Sequence, residues 1–199
     1  MQPYRKTCLT KWKYEVTHSM RVFVDVSPEF CKVFKSIYSA LSAKQLAGTV
    51  GNNYNVISCV DDSLENTYSI VHDYFRFRLS EKVTPEGNII ESVLCITLLE
   101  GYQWDGATKF YDFDWIIEPS GFHDAGYQLL YYLFETVGST KEYICYRYLA
   151  EFKKTLDIEL VTHCAQLNAP EWLCKLVLFG VHKLQPKLAD LRGEVGIYW

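Results

Sequence analysis

Hydrophobic residues follow two different periods at the beginning of the chain. Residues 11–26 are rich in β-branched and aromatic side chains, which is typical of a β-strand. Ser27 and Pro28 then combine a helix N-cap with a proline at the first helical position. Large apolar residues follow at helical spacing, namely Phe30, Val33, Phe34, Ile37, Tyr38 and Leu41. The pattern therefore predicts a strand and then an amphipathic helix over residues 28–46.

The middle of the chain returns to a period of two. Residues 48–55 are polar and predict a loop, and residues 55–60 predict a short strand. Residues 68–80 alternate between apolar and polar side chains, and residues 88–100 form a mostly apolar run. Because the turn-forming sequence TPEGN separates them, the two runs predict a long hairpin whose second strand leads to Gly101.

The second half of the chain predicts three helices. Ser120 is placed to cap a helix over residues 121–136, and a capping box of the form Ser-x-x-Glu precedes a helix over about residues 140–157. A third, apolar helix opens near Pro170 and runs to Leu184.

Together these elements predict an α+β fold. A strand–helix N-terminal lobe and an antiparallel hairpin or sheet would pack on the C-terminal three-helix region. In this prediction residues 1–67 form an N-terminal extension, and residues 68–199 form a hairpin and helical domain. Short connections favour one compact unit over two independent domains.

Composition narrows the class of protein. The chain has 199 residues, of which 49% are hydrophobic and 16% aromatic, so we expect a packed core rather than disorder. A net charge of −4 argues against nucleic-acid binding through bulk charge. No apolar run approaches the roughly 20 residues that span a bilayer. The basic N-terminus lacks the apolar segment of a signal peptide.

The seven cysteines predict reduced thiols rather than a disulfide framework. Their number is odd, no CxxC pair occurs, and several lie inside apolar runs, where cysteine behaves as a small hydrophobic residue. They are Cys8, Cys31, Cys59, Cys95, Cys145, Cys164 and Cys174.

The strongest candidate for chemistry is a His-Asp pair, His123 and Asp124. If Ser120 caps the helix, both residues lie near its positive end, which favours an ionised Asp124 and a neutral His123. A neutral imidazole beside a carboxylate suits a general base or a metal ligand. Tyr127 would lie on the same helix face, one turn further on. The alternative is that His123 only satisfies a buried polar contact.

Two other acids are candidates for the same site. Asp105 lies between Gly101 and Gly106 in a predicted turn, where glycine allows the backbone to approach a cation closely. An ordinary Asp-Gly turn is the alternative. Glu151 follows Arg147 by four residues on a predicted helix, from which it could reach the imidazole of His123 and hold its tautomer. The alternative for Glu151 is a surface ion pair.

The order of these motifs resembles a phage and prophage family, the domain-of-unknown-function family 1353. Its members combine a G-[FY]-x-x-D-G-A-[ST] turn, an H-D-x-x-Y helix, an Arg-x-x-Ala-acid helix and a final apolar helix with Phe-Gly. These motifs correspond here to residues 101–108, 123–127, 147–151 and 179–180. The resemblance implies a viral or prophage origin and supplies no activity.

The H-D-x-x-Y helix is also similar to the site of phospholipase A2-type enzymes. That similarity implies that His123 takes a proton from water, that Asp124 binds calcium with the Asp105 turn, and that Glu151 orients the imidazole. Tyr127 would complete the catalytic group. The similarity extends over a five-residue pattern, so it is an analogy of sites rather than of folds.

Two functions follow as hypotheses. The first is a phage-encoded hydrolase with a His-Asp metal or general-base site, acting with calcium or another divalent cation on an ester or similar bond of the host envelope. The second is a non-enzymatic accessory protein, a virion component or an inhibitor of a host factor, in which the network is structural. The aromatic residues of 102–115 could also form a contact surface. Expected partners are a host-envelope or phage protein and no nucleic acid, and the expected location is the host cytoplasm or the virion.

Overall fold

The computed structural model describes residues 2–7, 13–46, 54–58, 66–72, 74–107, 113–138 and 143–184. The strands are β1 (Tyr4–Lys6), β2 (Tyr14–Val16), β3 (Met20–Asp25), β4 (Tyr54–Ser58), β5 (Asn66–His72), β6 (Phe75–Val83), β7 (Ile89–Leu98) and β8 (Gln103–Trp104). The helices are α1 (Pro28–Leu46), α2 (Asp114–Gly138), α3 (Tyr143–Gln166) and α4 (Glu171–Leu184).

The strands form two antiparallel sheets. The larger sheet has the order β3-β7-β6-β5-β4, and the smaller has the order β1-β2-β8. Helices α1 and α2 pack on β7, and α3 packs on β3 and along α2. The chain therefore has an α+β fold, as the sequence predicts.

Helix α1 has the predicted bounds and the predicted cap. The amide of Phe30 donates a hydrogen bond of 3.1 Å to the Ser27 hydroxyl, and the amide of Cys31 donates one to the Ser27 carbonyl. These bonds satisfy amides that have no partner inside the helix. On the buried face, the ring of Phe30 stacks on that of Phe152 in α3 with centroids 4.2 Å apart.

The predicted hairpin has one more turn than the sequence indicates. Residues 68–80, predicted as one strand, fall on β5 and β6, which pair with each other around a reversal between His72 and Phe75. No glycine or proline marks this reversal, so the sequence gives no turn signal there. The second turn is where the prediction puts it, with Gly87 at φ +82° between β6 and β7.

The N-terminal strands belong to the same core as the helical half. One hydrophobic cluster includes Val24 of β3, Phe30 of α1, Leu94 of β7 and Leu130 of α2. The predicted division between residues 67 and 68 falls within β5. Helix α3 continues to Gln166, beyond the predicted end near residue 157. The predicted capping box at residues 139–142 lies outside the described residues.

A buried ion pair joins α1 to the larger sheet. The carboxylate of Glu81 on β6 is fully buried and contacts the ammonium group of Lys35, whose side chain is one-third exposed. Lys35 also lies over the ring of Tyr68, 5.7 Å from its centroid. Among the described residues, Lys35 therefore supplies the positive charge that balances Glu81, an acid that has no access to water.

We expect Lys35→Met to lower the free energy of unfolding by about 2 kcal/mol, because Glu81 would stay buried without a countercharge. Urea unfolding followed by circular dichroism measures this loss. The double variant Lys35→Met/Glu81→Leu should regain most of it, since no buried charge is then left. Equal stability of Lys35→Met and the wild type would contradict the expectation.

Candidate functional site

Helix α2 carries the predicted His-Asp pair, but it begins earlier than predicted. Its first residue is Asp114, so Ser120 lies inside the helix and donates a hydrogen bond of 2.7 Å to the carbonyl of Ile117. The prediction that Ser120 caps the helix is therefore wrong. His123 lies in the third turn, where the charge of the helix terminus has little effect.

Trp104 holds the strand-end turn against α2. Its indole nitrogen donates hydrogen bonds to the carbonyl of Ile117 at 3.1 Å and to the Ser120 hydroxyl at 3.2 Å. Gly121 makes room for the indole, because a Cβ at that position would lie 3.1 Å from the ring. Since Trp104 ends β8, this contact brings the adjacent Asp105 beside the helix.

The centre of the site is a bond between α2 and α3 that involves an acid not predicted from the sequence. The Nε2 atom of His123 lies 3.0 Å from Oδ1 of Asp157. The hydroxyl of Tyr127 donates a hydrogen bond of 2.7 Å to the same oxygen. Lys153 donates a bond of 2.9 Å to the other oxygen, Oδ2. Asp157 thus accepts bonds from both helices while it is 2% exposed.

The prediction that Glu151 orients the imidazole is wrong. Glu151 is exposed on α3, and its carboxylate pairs with Arg147 at 3.3 Å. At 100° per residue, the six positions from Glu151 to Asp157 rotate the side chain about 120° around the helix, so the two acids point in different directions. Asp157 occupies the place that was predicted for Glu151.

The placement predicted for Tyr127 relative to His123 is confirmed. The two rings lie on the same face of α2 with centroids 4.3 Å apart. The ammonium group of Lys153 lies 5.4 Å from the centroid of the Tyr127 ring. Tyr127 and Lys153 are both held by the carboxylate of Asp157, which also binds the imidazole.

A close approach of α2 and α3 makes these bonds possible. A Cβ added to Gly126 would lie 2.6 Å from a methyl carbon of Leu156, the residue before Asp157. The two helices are antiparallel, because residues later in α2 contact residues earlier in α3. The contacts are Glu118–His163, His123–Asp157 and Gly126–Leu156.

The other side of the imidazole faces a second carboxylate. The Nδ1 atom of His123 lies 3.9 Å from Oδ1 of Asp124, a distance of an ion pair rather than of a hydrogen bond. The Asp124 side chain is one-quarter exposed, whereas that of His123 is almost fully buried. Asp124 is therefore the member of this pair that contacts solvent.

The charges of these groups shift their protonation equilibria. Burial alone would lower the pKa of His123, but the negative charges of Asp124 and Asp157, together with the hydrogen bond to Asp157, outweigh burial and raise it. Burial would raise the pKa of Asp157, yet bonds from His123, Tyr127 and Lys153 lower it. Burial and the charge of Asp105 raise the pKa of Asp124, although His123 opposes this change.

The raised pKa of His123 predicts a loss of stability with increasing pH. The folded protein holds the proton more tightly than the unfolded chain, so the stabilisation is complete below the unfolded-state pKa of 6.5. It is lost as the pH rises through the higher folded-state pKa, with a slope of at most about 1.4 kcal/mol per pH unit. Urea unfolding at a series of pH values measures this slope. In His123→Gln the slope should be absent, and an unchanged slope would contradict the assignment to His123.

A small cleft opens beside the imidazole, between α2, α3 and the larger sheet. Its walls are mostly apolar and include Val24, Phe122 and Leu160, with His123, Glu159 and His163 as polar members. The cleft has room for about one water molecule. His163 is the second buried histidine of these helices, and it lies 3.4 Å from Glu118.

The predicted metal ligands are only partly assembled. The charges of Asp105 and Asp124 both act on Tyr102, whose hydroxyl is buried. In the described ranges, no group of three or more His, Cys, Asp or Glu side chains has the geometry of a metal site. A cation bound to Asp105 and Asp124 would therefore need further ligands from the backbone, the substrate or water.

The described cysteines are free thiols, namely Cys31, Cys95, Cys164 and Cys174. Burial raises the pKa of Cys31 to about 11 and that of Cys164 to about 12, so both thiols are protonated at neutral pH. They contribute to the core rather than to nucleophilic chemistry.

Comparison with protein-family models, curated proteins and solved structures gives no match to this chain. Among the described helices, none is both long and apolar enough to cross a membrane.

Proposed function

We propose that this protein is a hydrolase of ester or similar bonds in which His123 is the general base and Asp157 orients it. The observation that carries the proposal is the shared acceptor, because Asp157 Oδ1 binds both the imidazole and the hydroxyl of Tyr127. A carboxylate held in this way fixes the orientation and tautomer of an imidazole. The arrangement also matches the H-D-x-x-Y analogy, with Asp157 in place of Glu151.

Each side chain has a defined part in this reaction. When Nε2 donates its proton to Asp157, Nδ1 is the free base and faces the one-quarter exposed side chain of Asp124. Nδ1 takes a proton from water, and the resulting hydroxide attacks the carbonyl carbon of the ester. The protonated imidazole then gives this proton to the departing alkoxide, so that an acid and an alcohol are formed. Tyr127 and Lys153 keep Asp157 in position throughout.

Calcium is the proposed cofactor, and Asp105 and Asp124 would hold it. The donor set suits an oxygen-binding cation, since the charge of Asp105 raises the pKa of the partly buried Asp124, and a positive charge would stabilise both carboxylates. When bound, such a cation supplies charge stabilisation for a substrate oxygen. Calorimetric titration with calcium should give binding to the wild type and at least tenfold weaker binding to Asp124→Asn.

Hydrolysis assays of matched variants test the proposal. The substrates are a monomeric nitrophenyl ester and phosphatidylglycerol vesicles, each with calcium and with a chelator. We expect His123→Gln to lose at least a hundredfold in rate, within the range of a general base. Two control variants should keep the wild-type rate. His163→Gln alters the other buried imidazole between α2 and α3, and Glu151→Gln alters an exposed acid of α3. Equal rates for His123→Gln and the wild type, or no hydrolysis by the wild type, would disprove it.

A second function is favoured by the burial of the imidazole. His123 is 6% exposed and Lys153 also binds Asp157, so the network could serve only to hold α2 against α3. In that case the protein would be a non-enzymatic accessory protein, a virion component or an inhibitor of a host factor. His123→Ala would then cost several kcal/mol of stability without loss of any activity. A normally folded His123→Ala variant that has lost hydrolysis would instead favour the enzyme.

The phage or prophage origin is part of the proposal and is supported by the order of the four sequence motifs. From that origin we infer a bond of the host envelope as the target, with action in the host cytoplasm or from the virion. Cleavage of phosphatidylglycerol vesicles, in preference to the monomeric ester, is the result that this target requires.

A further inference from the structure

The hydroxyl of Tyr102 is a buried polar group that makes no hydrogen bond within the described residues. Tyr102 is 3% exposed, and its hydroxyl has no hydrogen-bond partner in the part of the chain that the structure describes. A buried donor without an acceptor is costly, and such groups are rare in folded proteins. An unpaired hydroxyl at a candidate site therefore points to an acceptor that arrives from outside.

The surrounding structure fixes the position of this tyrosine. Its carbonyl accepts a bond of 2.9 Å from the amide of Val16 on β2, and its amide donates one to Leu99. Its ring stacks on Trp104 with centroids 6.0 Å apart and meets the edge of Phe75 at the same distance. With both backbone groups and the ring held, the hydroxyl is a preorganised donor.

The hydroxyl lies in the neighbourhood of the proposed cation ligands. Tyr102 precedes Asp105 by three residues in the turn that Trp104 fastens to α2. Burial, followed by the charges of Asp124 and Asp105, raises the pKa of Tyr102 well above its usual value. The group therefore keeps its proton at neutral pH and can donate it in a hydrogen bond.

We propose that Tyr102 is a catalytic residue whose hydroxyl donates a hydrogen bond to the carbonyl oxygen of the bound ester. The inference rests on the proposed hydrolase function and names the residue that recognises the substrate oxygen near the proposed cation ligands Asp105 and Asp124. The hydrogen bond strengthens as negative charge develops on that oxygen, so the loss of the hydroxyl should affect the rate more than ground-state binding.

A matched pair of tyrosine variants tests the inference, because Tyr102 has no hydroxyl partner and Tyr127 has one. Tyr102→Phe should keep or raise the melting temperature, since only an unpaired polar group is removed, whereas Tyr127→Phe should lower it. On the ester substrates, Tyr102→Phe should lose at least tenfold in kcat/KM, mostly in kcat. A fall in melting temperature equal to that of Tyr127→Phe would reveal an internal partner, such as a buried water, and would overturn the inference. Unchanged kcat/KM would overturn it as well.

Binding of a substrate analogue separates this inference from the hydrolase proposal. A short-chain ether analogue of phosphatidylglycerol has no ester carbonyl but keeps the other oxygens, whereas a phosphonate analogue resembles the charged transition state. By calorimetry, Tyr102→Phe should bind the phosphonate at least tenfold more weakly than the wild type and the ether analogue nearly as well. If the wild type hydrolyses nothing but this difference in affinity is found, the Tyr102 site is retained and the hydrolase proposal is rejected. Equal phosphonate affinities, or none in the wild type, would overturn the Tyr102 site.

Discussion

Asp157→Asn should lower the free energy of unfolding by about 3–5 kcal/mol, because it removes the negative charge that a buried network depends on. The imidazole of His123 and the ammonium of Lys153 would keep their places beside a neutral amide. The amide nitrogen can also face one of these donors, which leaves two donors opposed to each other. Urea unfolding monitored by circular dichroism measures the loss.

The control for Asp157→Asn is Glu151→Gln, a change of the same chemistry on the same helix. The Glu151 side chain is 47% exposed and its partner Arg147 is 76% exposed, so this surface pair should contribute less than about 1 kcal/mol. If the two variants lost equal stability, the network around Asp157 would not be a principal contact between α2 and α3.

Trp104→Ala should cost about 3–5 kcal/mol, the range for deletion of a large aromatic side chain from a core. The indole is 1% exposed, contacts the rings of Tyr14 and Tyr102, and fastens the smaller sheet to α2 through Ile117. Its removal should also release the turn at Asp105. Thermal unfolding, together with hydrogen exchange of the β2 amides, measures both effects.

Trp172→Ala is the matched control for Trp104→Ala, since Trp172 on α4 is 57% exposed. This variant should change stability by less than about 1 kcal/mol and leave exchange in β2 unaltered. Protected β2 amides in a folded Trp104→Ala variant would show that the smaller sheet does not need the indole.

The local elements could be predicted where a chemical signal marks their ends. Helix α1 has such a signal in Ser27 and Pro28, and the turn around Gly87 has another. The reversal between β5 and β6 has no such signal, so the sequence predicts the two strands as one. The predicted start of α2 is too late because Ser120 resembles an N-cap, whereas the helix begins at Asp114. In the structure Pro119 is the sixth residue of the helix, and its missing N–H costs one backbone bond, that to the carbonyl of Trp115.

From the sequence, only the part of the candidate site that lies on α2 could be predicted. The pairing of His123 with Tyr127 follows from helical spacing, but the identity of the partner on α3 depends on how that helix is rotated against α2. One signal was available, because Asp157 borders the apolar face that Leu156, Leu160 and Cys164 form on α3. A charged residue on such a face needs a buried partner, and Glu151 on the polar face does not.

Gly126 has a consequence for the recognition of distant relatives. Since the bare backbone there meets Leu156, the spacing between α2 and α3 depends on the combined size of these two side chains. A homologue that retains the imidazole–carboxylate bond can enlarge one position only by shrinking the other. Covariation of these two sites, together with a His three positions before the glycine and an Asp directly after the leucine, would serve as a compact signature when the rest of the sequence has diverged.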